Sequence, residues 1–195
     1  ARELNPEDLL ARQPVRVNLK KSLAYLRGKR VLVTGAGGSI GSELARQLLY
    51  GGAERLFLFG HGENSIYESE RELRLLQEAG VGEKATIVPV IGELQDRDFV
   101  RYIVGRLRAG VVFHAAAHKH VPLMEANPVE AVKNNVFGTK NIVDASRKAG
   151  VERFVLISTD KAVEPSSIYG VSKLLAEEIV LREGKGGRHF LVVRF

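Results

Sequence analysis

Residues Val31 to Gly41 read Val-Leu-Val-Thr-Gly-Ala-Gly-Gly-Ser-Ile-Gly. An apolar, β-branched run leads into a glycine-rich turn, and the turn opens into Ser42–Leu49, where apolar side chains repeat at helical spacing. Glycines let the backbone approach a pyrophosphate, and the following helix offers free N–H groups and the positive end of its dipole. The stretch therefore predicts a dinucleotide site, with a glycine-rich turn of no chemical consequence as the alternative.

Predicted strands and helices alternate along the chain after residue 29. The predicted strands are Arg30–Thr34, Arg55–Phe59, Thr86–Ile91, Val111–Ala115, Arg153–Ser158 and Phe190–Phe195. The predicted helices are Ile40–Tyr50, Asn64–Ala79, Asp96–Leu107, Pro128–Lys148 and Ser167–Arg182. This alternation indicates βαβ units on a parallel sheet that is buried on both faces. We expect an α/β fold with a doubly wound parallel sheet, the Rossmann fold, in strand order 3-2-1-4-5-6.

The chain is expected to have two parts, a basic lead-in at residues 1–29 and an NAD(P)-binding domain at residues 30–195. Short helices are expected in the lead-in around residues 6–12 and 21–27. The chain begins with Ala1, and Leu191–Phe195 reads as a strand with no capping residues after it. These ends predict a fragment of a longer protein, truncated before its substrate lobe and weakly active or inactive alone.

Composition excludes several kinds of site. The 195 residues contain no cysteine, which excludes disulfides, zinc–thiolate sites and cysteine nucleophiles. Hydrophobic residues make up 45% and charged residues 27%, as in ordinary globular domains. No apolar run reaches the roughly 18 residues of a membrane-spanning helix.

The net charge of +6 is concentrated near the start of the chain, because residues 9–42 include seven basic residues and no acidic one. A solvated arm, a segment close to anionic lipid and a nucleic-acid-binding arm are all compatible with this pattern. The last is disfavoured, since no nucleic-acid-binding module and no interleaving of aromatic and basic residues accompany the charges. We therefore expect no nucleic-acid partner.

Tyr169 and Lys173 are spaced to share one face of a predicted helix. A neighbouring ammonium favours the phenolate form of a tyrosine, which makes it a usable base for a hydroxyl proton. Just before that helix, Thr159, Asp160 and Lys161 place a hydroxyl, a carboxylate and an ammonium at a strand end. The structural alternative for Tyr169 and Lys173 is an ordinary amphipathic helix. For the cluster of Thr159, Asp160 and Lys161 it is a loop salt bridge or a helix-capping aspartate.

Five stretches together resemble the nucleotide-sugar dehydratases of polysaccharide biosynthesis, which are extended short-chain dehydrogenase/reductases that act on UDP-N-acetylglucosamine. They are Thr34–Glu43, Phe113–Glu125, Asn135–Thr139, Ser158–Val163 and Tyr169–Lys173. Residues 7–16 resemble the linker that follows an N-terminal transmembrane region in long members of that family. The resemblance implies a UDP-sugar substrate, a homo-oligomer, and a cytoplasmic protein anchored at the inner face of the cytoplasmic membrane through a region before residue 1.

The family's chemistry implies a role for each clustered residue. Tyr169, supported by Lys173, would take the proton of the sugar 4-hydroxyl while hydride leaves C4, and Thr159 would orient that hydroxyl. Lys161 would then remove the C5 proton, and Asp160 would protonate the departing 6-hydroxyl. Return of the hydride to C6 would give a 4-keto-6-deoxy sugar. Inversion at C5 stays open, because Lys161 could also return the proton from the other face.

The residues expected to bind the cofactor are Thr34, Gly35, Gly37, Gly38, Ser39, Ile40, Gly41, His61, Glu63, Asn64, Glu93, Leu94, Ala115, Ala116, Ala117 and Lys173. NADP is favoured over NAD, because Gly60 stands where an NAD site usually has its acidic residue and His61 is adjacent. Glu63 could take the place of that acidic residue, and the site would then prefer NAD. Glu93 stands where the family that these motifs resemble usually has an aspartate near the adenine.

His118, Lys119 and Asn135 are the candidates for contact with the substrate, but for Asn135 the favoured role is to fix the backbone near the active site. His114, His118 and His120 suggest a metal site, but Lys119 among them would repel a cation, so no metal is expected. The family resemblance implies instead that these histidines line the nicotinamide and sugar pocket. Two other functions stay open. A nucleotide-sugar 4-epimerase would share the oxidation step but needs no elimination pair. A non-catalytic NADP-sensing module is disfavoured by the intact tyrosine and lysine.

Overall fold

The computed structural model describes residues 23–184 and 189–195. Most of the basic lead-in, including the helix predicted around residues 6–12, lies outside the described residues. In its described part, Ala24–Leu26 forms one turn of 3-10 helix where a helix around residues 21–27 is predicted. Leu26 is fully buried in the core on one face of the sheet.

Six strands of the described residues form a single parallel sheet. They are β1 (Arg30–Thr34), β2 (Arg55–Gly60), β3 (Thr86–Ile91), β4 (Val111–His114), β5 (Arg153–Ser158) and β6 (His189–Arg194). Their order is β3-β2-β1-β4-β5-β6, with every neighbouring pair parallel. The predicted fold class and strand order are confirmed, and the ends of β2, β4 and β6 differ from prediction by one residue.

Helices connect the strands. They are α1 (Ser39–Tyr50), α2 (Glu63–Glu78), α3 (Arg97–Leu107), α4 (Val121–Ala126), α5 (Pro128–Ala131), α6 (Gly138–Lys148) and α7 (Ile168–Gly184). A π-helical turn, Val132–Phe137, joins α5 to α6, and a 3-10 turn, Asp160–Ala162, follows β5. None of the helices in the described part of the chain is long and apolar enough to cross a membrane.

Strand β1 lies at the centre because both of its faces are apolar. Leu32 packs into one hydrophobic cluster, while Val31 and Val33 pack into a second cluster. This alternation is the two-residue period of a strand that is buried on both sides. The end of β1 consequently brings the glycine turn to the middle of the carboxyl edge, between β2 and β4, where the strand order reverses.

The region after β4 departs from the prediction. The helix predicted over Pro128–Lys148 is interrupted by the π-helical turn, and the short helix α4 was not predicted. Pro122 is compatible with α4 because it lies in the first turn, where its missing N–H breaks no intrahelical hydrogen bond. The wider π turn directs Asn135 into the protein, where it is buried.

Candidate cofactor site and active site

The glycine turn after β1 brings α1 and the loop after β4 into close contact. Gly35 has a φ of +69°, and a Cβ there would lie 2.7 Å from the backbone of Ala116. A Cβ at Gly41 would overlap the Gly35 carbonyl oxygen, so the first turn of α1 packs directly on the glycine turn. The residue before α1 is Gly38, which has no side chain, so no capping side chain occupies the N–H groups at the start of the helix. The first N–H groups of α1 are therefore positioned to bind an anion.

A cavity of about 470 Å³ runs from this turn along the carboxyl edge of the sheet. Residues predicted to bind the cofactor form much of its wall: Gly35, Gly38, Ser39, Ile40, Gly41, His61, Glu93, Leu94, Ala115, Ala116 and Ala117. His118 and Lys119, predicted to contact the substrate, also line it. The cavity thus collects the glycine turn, the ends of β2 and β3 and the loop after β4, at the position where doubly wound folds bind ligands.

Four predicted cofactor residues on β1, its turn and α2 lie outside that lining. Thr34 is fully buried at the end of β1. Gly37 packs against the Ser65 side chain of α2. Glu63 and Asn64 are exposed residues in the first turn of α2. Their contacts with a cofactor stay predictions.

His114, at the end of β4, is fully buried and uncharged. Its Nδ1 lies 2.6 Å from Thr34 Oγ1, and its Nε2 lies 2.9 Å from Thr139 Oγ1. The Thr139 hydroxyl donates its proton to the Asn135 carbonyl, so Thr139 Oγ1 must accept a hydrogen bond from the protonated Nε2 of His114. The unprotonated Nδ1 then accepts a hydrogen bond from the Thr34 hydroxyl. Burial, reinforced by the charge of Lys173, lowers the pKa of His114 to about 3. With both ring nitrogens engaged, His114 links β1, β4 and α6.

Asn135 holds the loop after β4 in place. Its side-chain oxygen accepts from the His118 N–H at 2.9 Å, and its amide donates to the His118 carbonyl and to Ser172 Oγ, each at 3.0 Å. Asn135 is 1% exposed, and these hydrogen bonds fix the backbone of the loop, while a contact of Asn135 with substrate stays a prediction. Asn135 fixes the cavity wall at His118 and joins that wall to α7.

Tyr169 and Lys173 lie one turn apart on α7, and both are buried. The Lys173 ammonium donates to the Ile157 carbonyl of β5 at 2.8 Å. Burial lowers the pKa of Lys173 to about 8, against the opposing effect of the Glu177 carboxylate. Neither Tyr169 nor Lys173 lines the cavity. Both residues lie close to β5. This strand is next to β4, and the loop that follows β4 forms part of the cavity wall.

Thr159, Asp160 and Lys161 follow β5 and are linked by hydrogen bonds. Thr159 Oγ1 donates to Asp160 Oδ1 at 3.0 Å, and Lys161 Nζ donates to the same oxygen at 3.3 Å. These bonds from Thr159 and Lys161 lower the pKa of Asp160, so at neutral pH the pair is a carboxylate beside an ammonium. Burial raises the pKa of Tyr169, and the Thr159 hydroxyl and the Lys161 charge act against that increase. The structure thus brings the four groups together.

Several residues of the site were not predicted. They are the lining residues Phe59, Gly92, Gln95, Glu130 and Asn134. Gly60 and His120 line the cavity as well, whereas the buried His114 does not. Gly92 could have been found, because it stands where β3 ends at the ligand-binding edge. Glu130 belongs to α5, which no local pattern connects to the cavity. Gly170 was also missed: a Cβ there would overlap the Lys161 carbonyl oxygen, so this glycine lets α7 approach the turn after β5.

Comparison with known proteins identifies the family. The family described as "Polysaccharide biosynthesis protein" matches residues 31–195. The chain is 47% identical, over 195 residues, to the probable polysaccharide biosynthesis protein EpsC of Bacillus subtilis, covering 100% of this chain and 32% of that protein. It is 34% identical, over 152 residues, to the UDP-N-acetylglucosamine 4,6-dehydratase (inverting) of Campylobacter jejuni, covering 78% of this chain and 42% of that protein. The chain thus spans less than half the length of either relative.

A solved structure shares the fold. The dTDP-glucose 4,6-dehydratase DesIV of Streptomyces venezuelae, a double mutant with NAD bound, matches with a TM-score of 0.69 and 26% identity, over 85% of this chain and 55% of that chain. The resemblance seen in the sequence motifs is confirmed, because the family match includes the glycine turn, the turn after β5 and α7. On this evidence the chain belongs to the polysaccharide biosynthesis protein family.

Proposed function

We propose that this chain is the cofactor-binding portion of a nucleotide-sugar 4,6-dehydratase that acts on UDP-N-acetylglucosamine. The observation that carries the proposal is the cluster of Thr159, Asp160, Lys161 and Tyr169 at the carboxyl edge that also forms the cavity. The relatives support it, since one is a UDP-N-acetylglucosamine 4,6-dehydratase and another protein of this fold is a dTDP-glucose 4,6-dehydratase. Two statements about the longer parent protein stay predictions: that it forms a homo-oligomer and that it is anchored to a membrane.

The cavity fits a dinucleotide at its glycine turn. At Gly38 a Cβ would meet only the Gly35 carbonyl oxygen, at 3.3 Å, so the turn leaves open space beside the N-terminus of α1. That terminus suits a pyrophosphate, because its N–H groups and dipole favour negative charge. The small residues Ala115–Ala117 form the wall beyond it. Bound NAD(P)⁺ would supply the hydride acceptor for sugar C4 and the donor for C6.

NADP is the proposed cofactor in preference to NAD. Where β2 ends, the lining residues are Gly60 and His61, while Glu63 lies outside the lining. A carboxylate at this position would bind the ribose 2′-hydroxyl of NAD, and its absence from the lining leaves space for a 2′-phosphate near His61. We expect the full-length protein to bind NADP⁺ more tightly than NAD⁺. The substitution His61→Ala should weaken the binding of NADP⁺ and leave the binding of NAD⁺ unchanged. Tighter binding of NAD⁺ would overturn this preference.

Tyr169 is the proposed base for the oxidation. Its phenol would accept the proton of the sugar 4-hydroxyl, and Thr159, which lies against Tyr169, would orient that hydroxyl. Burial makes the phenol harder to ionise, and the nearby Lys161 charge offsets part of this effect. Lys173 supports the same step by carrying a buried positive charge one helical turn away on α7.

Asp160 and Lys161 are the proposed elimination pair. The Lys161 amine would take the C5 proton, and the Asp160 carboxyl would give a proton to the 6-hydroxyl as it leaves as water. These roles require neutral groups, whereas the two side chains here are 77% and 56% exposed and form an ion pair. A sugar that covers the pair would remove its water, and burial favours the neutral form of each group. The proton would then pass from Lys161 to Asp160 along their hydrogen bond.

Deuterated water distinguishes the candidate functions. We expect the full-length protein to convert UDP-N-acetylglucosamine to a product that has lost water and carries deuterium at C5, as followed by mass spectrometry and NMR. Asp160→Asn and Lys161→Met should suppress the product. Asp144→Asn and Lys140→Met, which break an exposed ion pair of 2.9 Å on α6, should not. An unchanged mass with altered C4 configuration would indicate a 4-epimerase. Dinucleotide binding with no change in the sugar would indicate a different nucleotide-sugar substrate first and a sensing module second.

A further inference from the structure

A buried carboxylate joins α7 to β5 and β6 behind Lys173. Glu177 lies one turn after Lys173 and is 2% exposed. It accepts hydrogen bonds from Ser158 Oγ at 2.5 Å, from Arg194 Nε at 2.9 Å and from Arg194 Nη2 at 2.5 Å. Such paired bonds between a guanidinium and a carboxylate are strong and directional. None of the proposed chemical steps uses Glu177 or Arg194.

We propose that Glu177 and Arg194 form a positioning pair that controls the charge of Lys173. Glu177 acts as the buried counter-ion that keeps Lys173 protonated, and Arg194 limits how much of that negative charge Lys173 experiences. The consequence for catalysis rests on the proposed function, because it passes through the support that Lys173 gives to Tyr169. The effect on Lys173 itself does not depend on the reaction.

The charge balance around Lys173 supports this assignment. Lys173 is 3% exposed, and burial of its ammonium lowers its pKa, while Glu177 raises it. Without a counter-ion, a buried lysine loses its proton more readily still. Burial acts to raise the pKa of Glu177, but the hydrogen bonds from Arg194 and Ser158 together with the charges of Arg194 and Lys173 hold it below the ordinary value, so the carboxylate is stabilised as an anion.

Other groups near Lys173 leave Glu177 as its main electrostatic partner in the described residues. His114, from β4, has a pKa of about 3 and is uncharged. The direct partner of the Lys173 ammonium on β5 is the uncharged Ile157 carbonyl. On α7 itself, Tyr169 is neutral because burial raises its pKa. From β6, the cation Arg194 faces Glu177 directly.

The remaining charges lie further from this network. Asp160 and Lys161, in the turn after β5, form their own exposed pair. On the other side of α7, Glu125 of α4 accepts a hydrogen bond from the Ile168 N–H at the start of the helix. Glu130 of α5 is paired with Lys133 of the π-helical turn. None of these groups is among those that shift the pKa of Lys173.

A positioning role and a merely structural role predict different results for the two halves of the pair. If the pair only tied β6 to α7, removing either partner would loosen the same contact and affect Lys173 alike. If the pair controls the charge, Glu177→Gln removes a negative charge and Arg194→Gln removes a positive one. The two substitutions should therefore move the titration of Lys173 in opposite directions.

Competitive labelling of lysines measures this titration without relying on activity. The full-length protein is treated with trace acetic anhydride at a series of pH values, and mass spectrometry gives the labelling midpoint of each lysine. We expect the Lys173 midpoint near pH 8 to fall by about one unit in Glu177→Gln and to rise in Arg194→Gln. Glu177→Asp, which keeps the charge, should stay close to the unsubstituted protein. Lys140, paired with Asp144 on α6, is the internal control and should not move.

An unchanged Lys173 midpoint in Glu177→Gln and Arg194→Gln, or shifts in the same direction, would overturn the proposal. If Glu177→Gln does not fold, Arg194→Lys decides beside Arg194→Gln, because it keeps the positive charge and loses the paired bonds. A charge effect leaves the Arg194→Lys midpoint near that of the unsubstituted protein, whereas a loosened contact that exposes Lys173 would raise it as in Arg194→Gln. In active protein, the alkaline limb of the kcat/KM profile should move with the labelling midpoint. If the midpoints shift as expected in a protein that does not dehydrate the sugar, the positioning pair stands and the proposed function fails.

Discussion

Gly41→Ala tests whether the close packing of α1 on the glycine turn creates the dinucleotide site. Gly105→Ala in α3 is the matched control, because both glycines are helical and neither has a positive φ. In a helix, alanine is favoured over glycine by about 1 kcal/mol. At Gly105 a Cβ would have no neighbour within 4 Å, so we expect Gly105→Ala to stabilise the protein by about 0.5–1 kcal/mol.

At Gly41 the same substitution meets backbone atoms that cannot rotate away. Besides overlapping the Gly35 carbonyl oxygen, a Cβ would lie 2.7 Å from the Gly35 carbonyl carbon and 2.9 Å from Ala36 Cα. To restore ordinary contacts, α1 must move away from the turn, and such overpacking costs about 1–3 kcal/mol. This cost cancels or exceeds the helical gain. Gly41→Ala should therefore be less stable than Gly105→Ala by about 1–3 kcal/mol.

The shift of α1 also moves its N–H groups away from the pyrophosphate position. Fluorescence titration with NADPH should show at least about a tenfold loss of affinity in Gly41→Ala, equivalent to about 1.4 kcal/mol, and no loss in Gly105→Ala. Thermal melting of the same proteins gives the stability difference. If Gly41→Ala is stabilised as much as Gly105→Ala and binds the dinucleotide normally, the glycine turn does not form the site in the way described.

Three further substitutions test separate parts of the site. Tyr169→Phe should reduce turnover by a factor of about 100 or more while leaving dinucleotide affinity unchanged, and near-normal turnover would exclude Tyr169 as the base. His114→Leu removes the acceptor of the buried Thr34 hydroxyl and the Nε2–H donor to Thr139, so chemical denaturation should show a loss of about 2–4 kcal/mol, whereas a loss under 1 kcal/mol would contradict the hydrogen-bond network. Lys173 binds its proton less tightly in the folded protein, with a pKa of about 8 instead of 10.5, so it makes stability rise between those pH values. Lys173→Met should remove about 3 kcal/mol of that rise, as measured by denaturation at pH 7.5 and 10.5. Equal pH dependence in both proteins would contradict the buried ammonium.

The central part of the fold could be predicted because its signals are local and repeated. The run Val31–Val33 has the apolar character of a strand buried on both faces, and the glycine turn marks the start of α1. With one strand identified as the first of a doubly wound sheet, the order of the others follows from the chirality of βαβ units. The same topology brings the Tyr169 helix and the turn after β5 to one edge.

Other features depend on contacts that no local pattern records. Asn135 is drawn inward by a π-helical turn within a sequence that is compatible with a regular helix. Glu177 and Arg194 are separated by 17 positions, and they meet because β6 pairs with β5, against which α7 packs. Charge states are equally non-local, since the ionisation of Asp160 depends on exposure and on hydrogen bonds that only the folded chain creates.

The most direct test of the proposed dehydratase is the fate of the hydrogen at sugar C4. The full-length protein would be given UDP-N-acetylglucosamine that carries deuterium at C4, in ordinary water, and the product would be examined by NMR and mass spectrometry. The account predicts a 4-keto-6-deoxy sugar in which the deuterium has moved to C6, because the hydride taken from C4 is returned within the same site. Deuterium that remains at C4 after the configuration there changes, or a product that has kept its 6-hydroxyl, would contradict it.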